Sequence, residues 1–387
     1  MTVLFSATVL SLIIWVYLLM ARSRFWLAQP RLSAAQRPLV HLPRVVAIIP
    51  ARNEAATIAD VVTSLRNQRY SGDLNILVVD DQSSDATAQL ARQAGGARVR
   101  IIQTPPLPPG WSGKTWALET AWQDVLQRGL APDYIWLNDA DIVHQSVVLE
   151  ALISQANWSG SALTSLMVTL DTSGVVGRLL IPAFVYFFQL LYPFPAINGP
   201  ALRTAGAAGG CVLLEREALQ RIGGFVSLKD ALIDDCTLAR HVQDAGGTLW
   251  LGHGPLSKSV RPNDRLGAVW TMVKRTAYAQ LSYNPLLLAG CLAGLGLVFL
   301  VPPLAFVVGI AHGDAILLLC GAAAWLLMAI TTMPTLKLYQ RSLAEAFLMP
   351  FVTLLYGMMT LDSARSHVFG AGNRWKDRSY GKAHKRA

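Results

Sequence analysis

Two aspartates separated by one residue follow an apolar run in the middle of the chain. Residues Tyr134 to Asn138 read YIWLN, and Asp139-Ala140-Asp141 follows at once. A carboxylate at the end of a buried strand needs a cation, hydrogen-bond donors or open water, because an unpaired buried charge is costly. The pattern therefore leaves two interpretations: a strand that surfaces at this point, or a pair of oxygen ligands for a metal ion.

Two further strand-like runs, VVAIIP and NILVVDD, end in polar or acidic residues. Asn53 and Glu54 follow the first, and Asp80 and Asp81 end the second. Helical patterns separate the runs, and this alternation predicts an α/β domain with a mostly parallel sheet and helices on both faces. Such sheets bind ligands beyond the carboxyl ends of their strands. We therefore expect these side chains to meet at one edge of the sheet.

The elements that must position these side chains are read from hydrophobic periodicity. The predicted order is strand Val45–Pro50, helix Thr57–Gln68, strand Asn75–Asp81, helix Ser84–Gln93, strand Arg98–Gln103, helix Gly113–Gln127 and strand Tyr134–Asn138.

A proline-rich loop, TPPLPPGWSGK, precedes the third of these helices. It is either a rigid crossover connection or part of a binding site. Lys114 opens the helix, where a cation opposes the helix dipole unless an anion such as a bound phosphate compensates it. This position favours a role for Lys114 in binding a phosphate-bearing ligand.

The composition indicates a membrane protein. Of the 387 residues, 53% are hydrophobic and only 15% are charged. Four apolar runs approach the length of about 20 residues that spans a bilayer: Val3–Met20, Pro285–Ala311, Ala315–Met333 and Ala346–Leu361. The predicted organisation is an anchor at residues 1–21, a globular domain at 44–284, a membrane region at 285–361 and a basic tail at 362–387.

The charge distribution predicts the orientation of the chain. Arg22, Arg24, Arg31, Arg37 and Arg44 follow the first apolar run, and no acid precedes Glu54. The run also lacks the basic start and cleavage site of a signal peptide, so we expect a retained anchor whose C-terminal end faces the cytoplasm. The globular domain would then be cytoplasmic.

The net charge of +9 is concentrated beside apolar runs. Seven Lys or Arg residues lie between Ser363 and Ala387, against the single acid Asp377. Anionic lipid headgroups attract such clusters, so the predicted partner is a membrane surface and not nucleic acid. The four cysteines have no ligand-like spacing and predict neither a zinc site nor a disulfide framework.

The segment Gly177 to Ile197 is apolar and aromatic but contains Pro182, Pro193 and Pro195. Divided at these prolines it is short for a membrane span, so a helix lying in the interfacial plane is predicted. The alternative is a helix buried in the domain core. The last apolar run, interrupted by Pro350, is expected to lie in the interface or to re-enter the membrane without crossing it. The alternative is that Pro285–Ala311, with Pro302-Pro303 at its centre, folds back as a hairpin.

Four segments in order carry a resemblance to a known family: PARNEA at 50–55, VVDDQSSDAT at 78–87, NDADI at 138–142 and LIDDCTLARHVQDAG at 232–246. Together they resemble family 2 glycosyltransferases of the GT-A fold. Over nearly its whole length the chain is most similar to hopene-associated glycosyltransferases and more distantly to ceramide glucosyltransferases. The resemblance implies a Rossmann-like mixed sheet in the cytoplasm with transmembrane helices at both ends.

The resemblance also implies roles for the donor-binding residues. Asp141 corresponds to a ligand of Mg²⁺ or Mn²⁺, and Asp139 to a group that binds the metal or the donor ribose. Asp81 matches the carboxylate that accepts the uracil N–H of a UDP-sugar. The nucleoside pocket would be lined by Pro50, Asn53 and Glu54.

Further roles follow for residues near the reacting centre. Asp235 matches the general base that takes the proton from the acceptor hydroxyl, and Asp234 beside it would cap the helix that follows. The small residues of Thr204–Arg216 would lie near the sugar.

The family's arginine that binds the pyrophosphate corresponds to Arg275, with Arg261 as a neighbour. MVKRT at 272–276 lacks the glutamine and tryptophan of the family's motif. The closing RWKDRSY is similar to a tail motif of related enzymes, or is an ordinary basic tail.

These expectations combine into one hypothesis. The chain is predicted to be an inverting glycosyltransferase of the bacterial inner membrane, which moves a sugar from a UDP-sugar to a membrane lipid such as a hopanoid. The alternatives are a ceramide-type or polyprenyl-phosphate glycosyltransferase, a polysaccharide synthase, and a non-catalytic membrane scaffold.

Overall fold

The computed structural model describes residues 1–35, 39, 41–199, 204–231 and 233–369, and the backbone of two short strands at 374–375 and 378–379. The chain divides into two compact units. The sheet unit combines Gln29–Asp171 with Ala196–Arg261, and the helical unit combines Met1–Ala28, Thr172–Pro195 and Pro262–Ala387. Residues 172–195 and 262–284 thus group with the helical unit, although the sequence-based division assigns all of them to the globular domain.

The strands are β1 (Val45–Ala51), β2 (Leu74–Asp80), β3 (Val99–Gln103), β4 (Tyr134–Asn138), β5 (Ile142–His144), β6 (Leu163–Thr169), β7 (Cys211–Glu215), β8 (Leu249–Ser259), β9 (Arg374–Trp375) and β10 (Arg378–Ser379).

The helices are α1 (Thr2–Met20), α2 (Ile58–Arg66), α3 (Thr87–Gly95), α4 (Gly113–Gln127), α5 (Val148–Ser159), α6 (Gly174–Leu191), α7 (Phe194–Ile197), α8 (Arg216–Arg221), α9 (Asp234–Asp244), α10 (Leu266–Gln280), α11 (Pro285–Leu295), α12 (Val301–His312), α13 (Ala315–Leu338) and α14 (Met349–Phe369).

One mixed sheet organises the sheet unit, with strand order β3-β2-β1-β4-β7-β6-β8-β5. The first four strands in this order run parallel. β7 is antiparallel to both of its neighbours, and β5 is antiparallel to β8. The predicted α/β sheet is therefore confirmed, and its parallel half coincides with the part that the sequence pattern predicts strand by strand.

Burial explains why β1 is uniformly apolar. All of its residues are buried, because helices cover both faces of the strand. Ala47 and Ile49 pack in a core cluster with Val61 of α2 and Leu152 of α5. Side chains alternate across a strand, so Ile48 faces the other side, and α4 also packs on β1. The chain returns through α4 to form β4 beside β1, which brings Asp139 and Asp141 next to the residues that follow β1.

A buried polar network holds the turn between β4 and β5. His144 Nδ1 lies 2.7 Å from Ser257 Oγ, and His144 Nε2 contacts Asn138 Oδ1. Burial lowers the pKa of His144 to about 3, so the ring is neutral. Because Asn138 and His144 flank the aspartate pair, this network fixes the turn that carries it.

The helix α6 continues through Pro182, which contradicts the expected division at that proline, and it ends at Leu191, before Pro193. Gly174–Ile197 is long and apolar enough to cross a membrane. A single crossing would place the flanking residues on opposite sides of the bilayer, yet β6 before the segment and β7 after it are hydrogen-bonded neighbours. This pairing is incompatible with a single crossing, and the interfacial location stays a prediction.

The described residues contain five helices that could span a membrane by length and composition: Thr2–Met20, Gly174–Ile197, Pro285–His312, Ala315–Leu338 and Leu343–Phe369. Within the helical unit, polar side chains pair between helices. Tyr186 of α6 lies 2.9 Å from the hydroxyl of Thr331, and Gln189 donates to Thr335 at 3.1 Å. Such pairs satisfy polar groups that the apolar environment cannot.

The core of the sheet is testable at Trp136, which is fully buried in β4 and whose Nε1 lies 3.3 Å from Cys211 Sγ. We expect Trp136→Ala to lower the free energy of unfolding by about 3–5 kcal/mol, because it leaves a cavity in the strand that carries the aspartate pair. The thermal unfolding midpoint of the full chain in detergent measures this change.

The matched control is Trp158→Ala at the end of α5, where the side chain is 82% exposed. Its effect should stay within about 0.5 kcal/mol. Equal midpoints for the two variants would contradict the assignment of Trp136 to the core.

Candidate active site

The structure brings the predicted acidic residues to one edge of the sheet. β2, β1 and β4 are adjacent and parallel, so the residues that follow them emerge together. A hydrogen bond of 2.7 Å from Thr57 Oγ1 to the carbonyl oxygen of Ala140 ties the loop after β1 to the aspartate pair. The edge therefore gathers side chains from segments that are far apart in sequence.

Lys114 lies between two carboxylates at this edge. Its Nζ is 2.9 Å from Asp139 Oδ1 and 3.2 Å from Asp234 Oδ2. Burial alone would lower the pKa of Lys114, but the nearby carboxylates of Asp139, Asp234 and Asp235 outweigh it and raise the pKa. The lysine is therefore a permanent cation. Two carboxylates compensate its charge, so a bound phosphate is not needed to explain its position at the start of a helix.

The start of α4 fixes Lys114. Ser112 caps the helix by accepting the backbone N–H of Thr115 at 3.1 Å, in a capping box. The loop before it is anchored where the backbone N–H of Asp230 donates to the carbonyl of Gly110 at 2.9 Å. The proline-rich loop thus connects the lysine to the segment that precedes Asp234.

Asp235 lies in the first turn of α9 and is held by backbone donors. Gly209 N–H donates to its Oδ2 at 2.7 Å, and Cys236 N–H donates to its Oδ1 at 2.8 Å. Burial and the neighbouring charge of Asp234 raise the pKa of Asp235 to about 6, against the opposing effect of Lys114. A carboxylate of this pKa accepts a proton near neutral pH far more readily than an ordinary aspartate.

Asp234 does not cap α9. The helix begins at Asp234 itself, after Ile233, and has no side-chain cap. The predicted capping role is therefore wrong, and the carboxylate pairs with Lys114 instead.

Arg261 forms a second bridge between acids. Its Nη2 lies 2.7 Å from Glu54 Oε1, and its Nε lies 3.2 Å from Asp141 Oδ2. Ser259 Oγ donates to the same Asp141 oxygen at 2.7 Å. The register of β5 and β8, which pairs Ile142 with Ser259, brings these residues together.

The predicted nucleoside residues lie at the ends of β1 and β2. Asn53 has a left-handed backbone, with φ of +52°, and its Oδ1 accepts the backbone N–H of Ser84 at 2.9 Å. Asp81 is fully buried and accepts a hydrogen bond from Thr104 Oγ1 at 3.0 Å. Pro50 lines a cleft with Lys114, Asp139 and Asp235.

The site offers few side chains that could bind a metal ion. Among the residues that the structure describes, no group of three or more His, Cys, Asp or Glu side chains could hold a metal ion. Asp139 and Asp141 nevertheless offer hard carboxylate oxygens on one turn. For each of them the structure gives polar contacts to only one oxygen from the described residues. This arrangement fits a divalent ion whose other ligands are substrate phosphates and water.

Two predicted elements belong to the helical unit. Arg275 belongs to α10 in the helical unit, where its side chain is exposed, and its role at a diphosphate stays a prediction. Of the RWKDRSY segment, Lys376, Asp377 and Tyr380 lie outside the described residues. The backbone of β9 pairs antiparallel with β10, Trp375 opposite Arg378.

Comparison with known proteins agrees with this geometry. Residues 46–223 match the sequence model of the family described as glycosyl transferase family 2. This segment, less than half of the chain, is therefore similar to a glycosyl transferase family 2 domain. This match covers the strands β1 to β7 and the aspartate pair, and it confirms the predicted enzyme class for this domain.

Two curated relatives are glycosyltransferases by name. Glycosyltransferase AglJ of Haloferax volcanii is 37% identical over 105 residues, which are 27% of this chain and 30% of that protein. The probable glycosyltransferase YdaM of Bacillus subtilis is 25% identical over 218 residues, 53% of this chain and 48% of that protein. The chain thus matches less than half the length of either relative.

The fold matches a solved structure over most of both chains. The mannosyltransferase PcManGT of Pyrobaculum calidifontis, in complex with GDP-Man and Mn²⁺, has a TM-score of 0.57 and 19% identity. The match covers 95% of this chain and 99% of that one. It confirms the predicted GT-A-like fold of the family 2 domain.

The sequence analysis includes Gly209 among the small residues of Thr204–Arg216 but does not single it out, although the geometry of Asp235 depends on it. A methyl group at this position would lie 2.9 Å from Asp235 Oδ2 and 3.2 Å from Lys114 Nζ. The signal in the sequence was the pair Gly209-Gly210 directly before an apolar strand, a pattern that marks close backbone approach.

We therefore expect Gly209→Ala to displace the Asp235 carboxylate and to lower the free energy of unfolding by about 1–3 kcal/mol. Gly210→Ala is the matched control, because its added methyl would lie no closer than 3.5 Å to its neighbours. Urea denaturation of both variants in detergent measures the difference. If Gly209→Ala is as stable as Gly210→Ala, the carboxylate is not confined as described.

Proposed function

We propose that the chain is an inverting glycosyltransferase that moves a sugar from a UDP-sugar to a hydroxyl group of a membrane lipid, with a hopanoid as the acceptor. One observation carries the proposal: a carboxylate with a pKa of about 6, Asp235, shares one edge of the sheet with the aspartate pair. The first group suits proton removal, and the second suits the binding of a diphosphate through a metal ion.

Asp235 is the general base of the proposed reaction. The acceptor oxygen attacks the anomeric carbon while the bond from that carbon to the diphosphate oxygen breaks. The bonding electrons leave with the nucleoside diphosphate, and the acceptor proton passes to Asp235. A direct displacement of this kind inverts the anomeric centre. The two backbone N–H groups at Asp235 orient the carboxylate without neutralising its charge.

The donor is bound by residues at the ends of β1, β2 and β4. In the proposed complex, Asp81 accepts the uracil N–H, and Pro50, Asn53 and Glu54 line the nucleoside pocket. Asp139 and Asp141 hold Mg²⁺ or Mn²⁺, which when bound neutralises charge on the leaving diphosphate. Lys114 supplies further positive charge for the donor phosphates, and the diphosphate role of Arg275 stays a prediction from the resemblance.

The lipid acceptor is inferred from the apolar helices. Five helices of the described residues are apolar and long enough to span a bilayer. We therefore expect the chain to reside in a membrane, where its acceptor would be a membrane lipid. The hopanoid itself rests on the sequence resemblance. Extraction of lipids from cells that lack the gene tests it: we expect one glycolipid to disappear and its unglycosylated precursor to accumulate. An unchanged lipid profile would contradict the proposed acceptor class.

The role of Asp235 predicts a kinetic signature. Asp235→Asn should lower kcat by about 10²–10⁴-fold, because a general base contributes that much, while UDP affinity stays near normal. Asp244→Asn, at the exposed end of the same helix, is the matched control with unchanged kcat. An equal loss of kcat and of UDP affinity in Asp235→Asn would contradict the assignment.

The pH dependence should follow the pKa of Asp235. Since its raised pKa is about 6, the base is protonated below that pH, and kcat should fall as the pH drops through 6. Asp234→Asn removes the like charge that raises this pKa, so the acid limb of the kcat profile should move to lower pH. A shift to higher pH, or none, would exclude Asp235 as the titrating group.

The metal site predicts the behaviour of nucleotide binding. Asp141→Ala should abolish the part of UDP affinity that depends on Mn²⁺, a loss of about tenfold or more, equivalent to ~1.4 kcal/mol. Asp60→Ala, at an exposed position of α2, is the control. Titration calorimetry with and without a chelator measures the effect. If a chelator leaves wild-type UDP affinity unchanged, the proposed metal role fails.

We also propose that the sheet unit faces the cytoplasm of a bacterial inner membrane. A cysteine at Ala97, which is exposed in the sheet unit, should label with an impermeant maleimide only after spheroplasts are permeabilised. His312 ends the first predicted membrane crossing after the sheet unit and would lie outside the cytoplasm. A cysteine at this position should therefore label in intact spheroplasts. The native chain gives the background from its own cysteines. Labelling at position 97 in intact spheroplasts would reverse the orientation.

A further inference from the structure

The bridge formed by Arg261 joins the two acids that the proposed donor site needs. Glu54 follows β1 and Asp141 follows β4, and these strands are neighbours in the sheet. The carboxylates are largely enclosed, with side chains 10% and 15% exposed, whereas the side chain of Arg261 is 44% exposed. A partly exposed cation therefore neutralises two largely enclosed anions.

The backbone and the side chain of this segment are held differently. The N–H of Val260 donates to the carbonyl oxygen of Asp141 at 2.8 Å, so the chain next to Arg261 is fixed to the aspartate turn. Among the described residues, Glu54 and Asp141 accept the hydrogen bonds that the guanidinium donates. The guanidinium can leave Asp141 by side-chain rotation without breaking the β5–β8 pairing.

The position of the guanidinium conflicts with a second cation at Asp141. A divalent ion bound to that carboxylate would lie a few ångströms from the positive charge of Arg261, and at so short a distance the two cations repel each other. Asp141 can therefore pair with Arg261 or bind a metal ion, but it cannot do both well at once.

We propose that Arg261 is an internal counter-ion of the donor site, and that the divalent metal ion must displace it from Asp141. This inference rests on the proposed metal role of Asp141. Metal ion alone then binds weakly, because it breaks an ion pair and gives the arginine no new partner. When a nucleoside diphosphate arrives with the metal ion, the released guanidinium gains phosphate oxygens, which are strong partners for it. Metal and nucleotide therefore bind cooperatively.

The test measures Mn²⁺ affinity of the full-length chain in detergent, with and without UDP, by electron paramagnetic resonance of free Mn²⁺. Wild type should bind Mn²⁺ weakly alone and more tightly with UDP. In Arg261→Ala, Mn²⁺ alone should bind more tightly by about 5- to 50-fold, within the usual range of coupling between two sites. The gain that UDP adds should shrink by a similar factor.

Two further variants control for charge and folding. Arg100→Ala removes an arginine from another ion pair of the sheet unit, 2.7 Å from Asp124, and should leave Mn²⁺ affinity unchanged. Arg261→Lys keeps the charge but loses the two-point geometry, so its Mn²⁺ affinity should lie between those of wild type and Arg261→Ala. It also serves as the test if Arg261→Ala does not fold.

Unchanged or weaker binding of Mn²⁺ alone in Arg261→Ala would overturn the inference, since the arginine would then support Asp141 and not compete for it. That outcome is distinct from failure of the proposed function. If wild type binds no Mn²⁺ even with UDP, or Asp141→Ala binds it normally, the metal role of Asp141 fails and the inference fails with it.

Discussion

Repulsion among carboxylates at one edge of the sheet is the constraint on which the site depends. Lys114 and Arg261 offset this repulsion, because each forms ion pairs with two acids from separate segments of the chain. Lys114 links the turn after β4 to the start of α9, and Arg261 links that turn to the loop after β1. Such pairs contribute little net stability once desolvation is counted, but they specify which segments meet. The ion pairs therefore set the geometry of the edge, while the apolar strands supply its stability.

The acids at this edge differ in how their charge is compensated. Asp139 and Asp141 each have a cation as a direct partner, although burial raises the pKa of Asp139 despite the nearby charge of Lys114. Asp235 is held by two backbone N–H groups, and its like-charged neighbour Asp234 contributes to a pKa of about 6. Neighbouring carboxylates thus suit different tasks, one pair for binding a cation and one group for accepting a proton.

The sequence predicts the parallel half of the sheet closely, because each strand there is an apolar run bounded by polar residues. The sequence pattern does not predict strands β5 to β8, because short or Gly-containing strands such as β8 lack a clear hydrophobic periodicity. Asp139, Asp141 and Asp235 were identifiable from motifs. The partners of Lys114 and Arg261 were not, because ion pairs between distant segments leave no local signal. Pro182 misled the analysis of α6, since a proline alone does not reveal whether neighbouring helices support the surrounding turns.

The central claim is that this edge of the sheet transfers a sugar to a lipid. The most direct measurement incubates the purified chain with Mn²⁺, bacterial lipid extract and a sugar donor that carries a radiolabelled sugar. The donors are UDP-sugars and, in addition, GDP-mannose. The readout is radiolabel in a chloroform-soluble product. The account predicts a labelled lipid of inverted anomeric configuration that wild type forms and Asp235→Asn does not. Label that stays in the aqueous phase with every donor, or equal lipid labelling by both proteins, would contradict it.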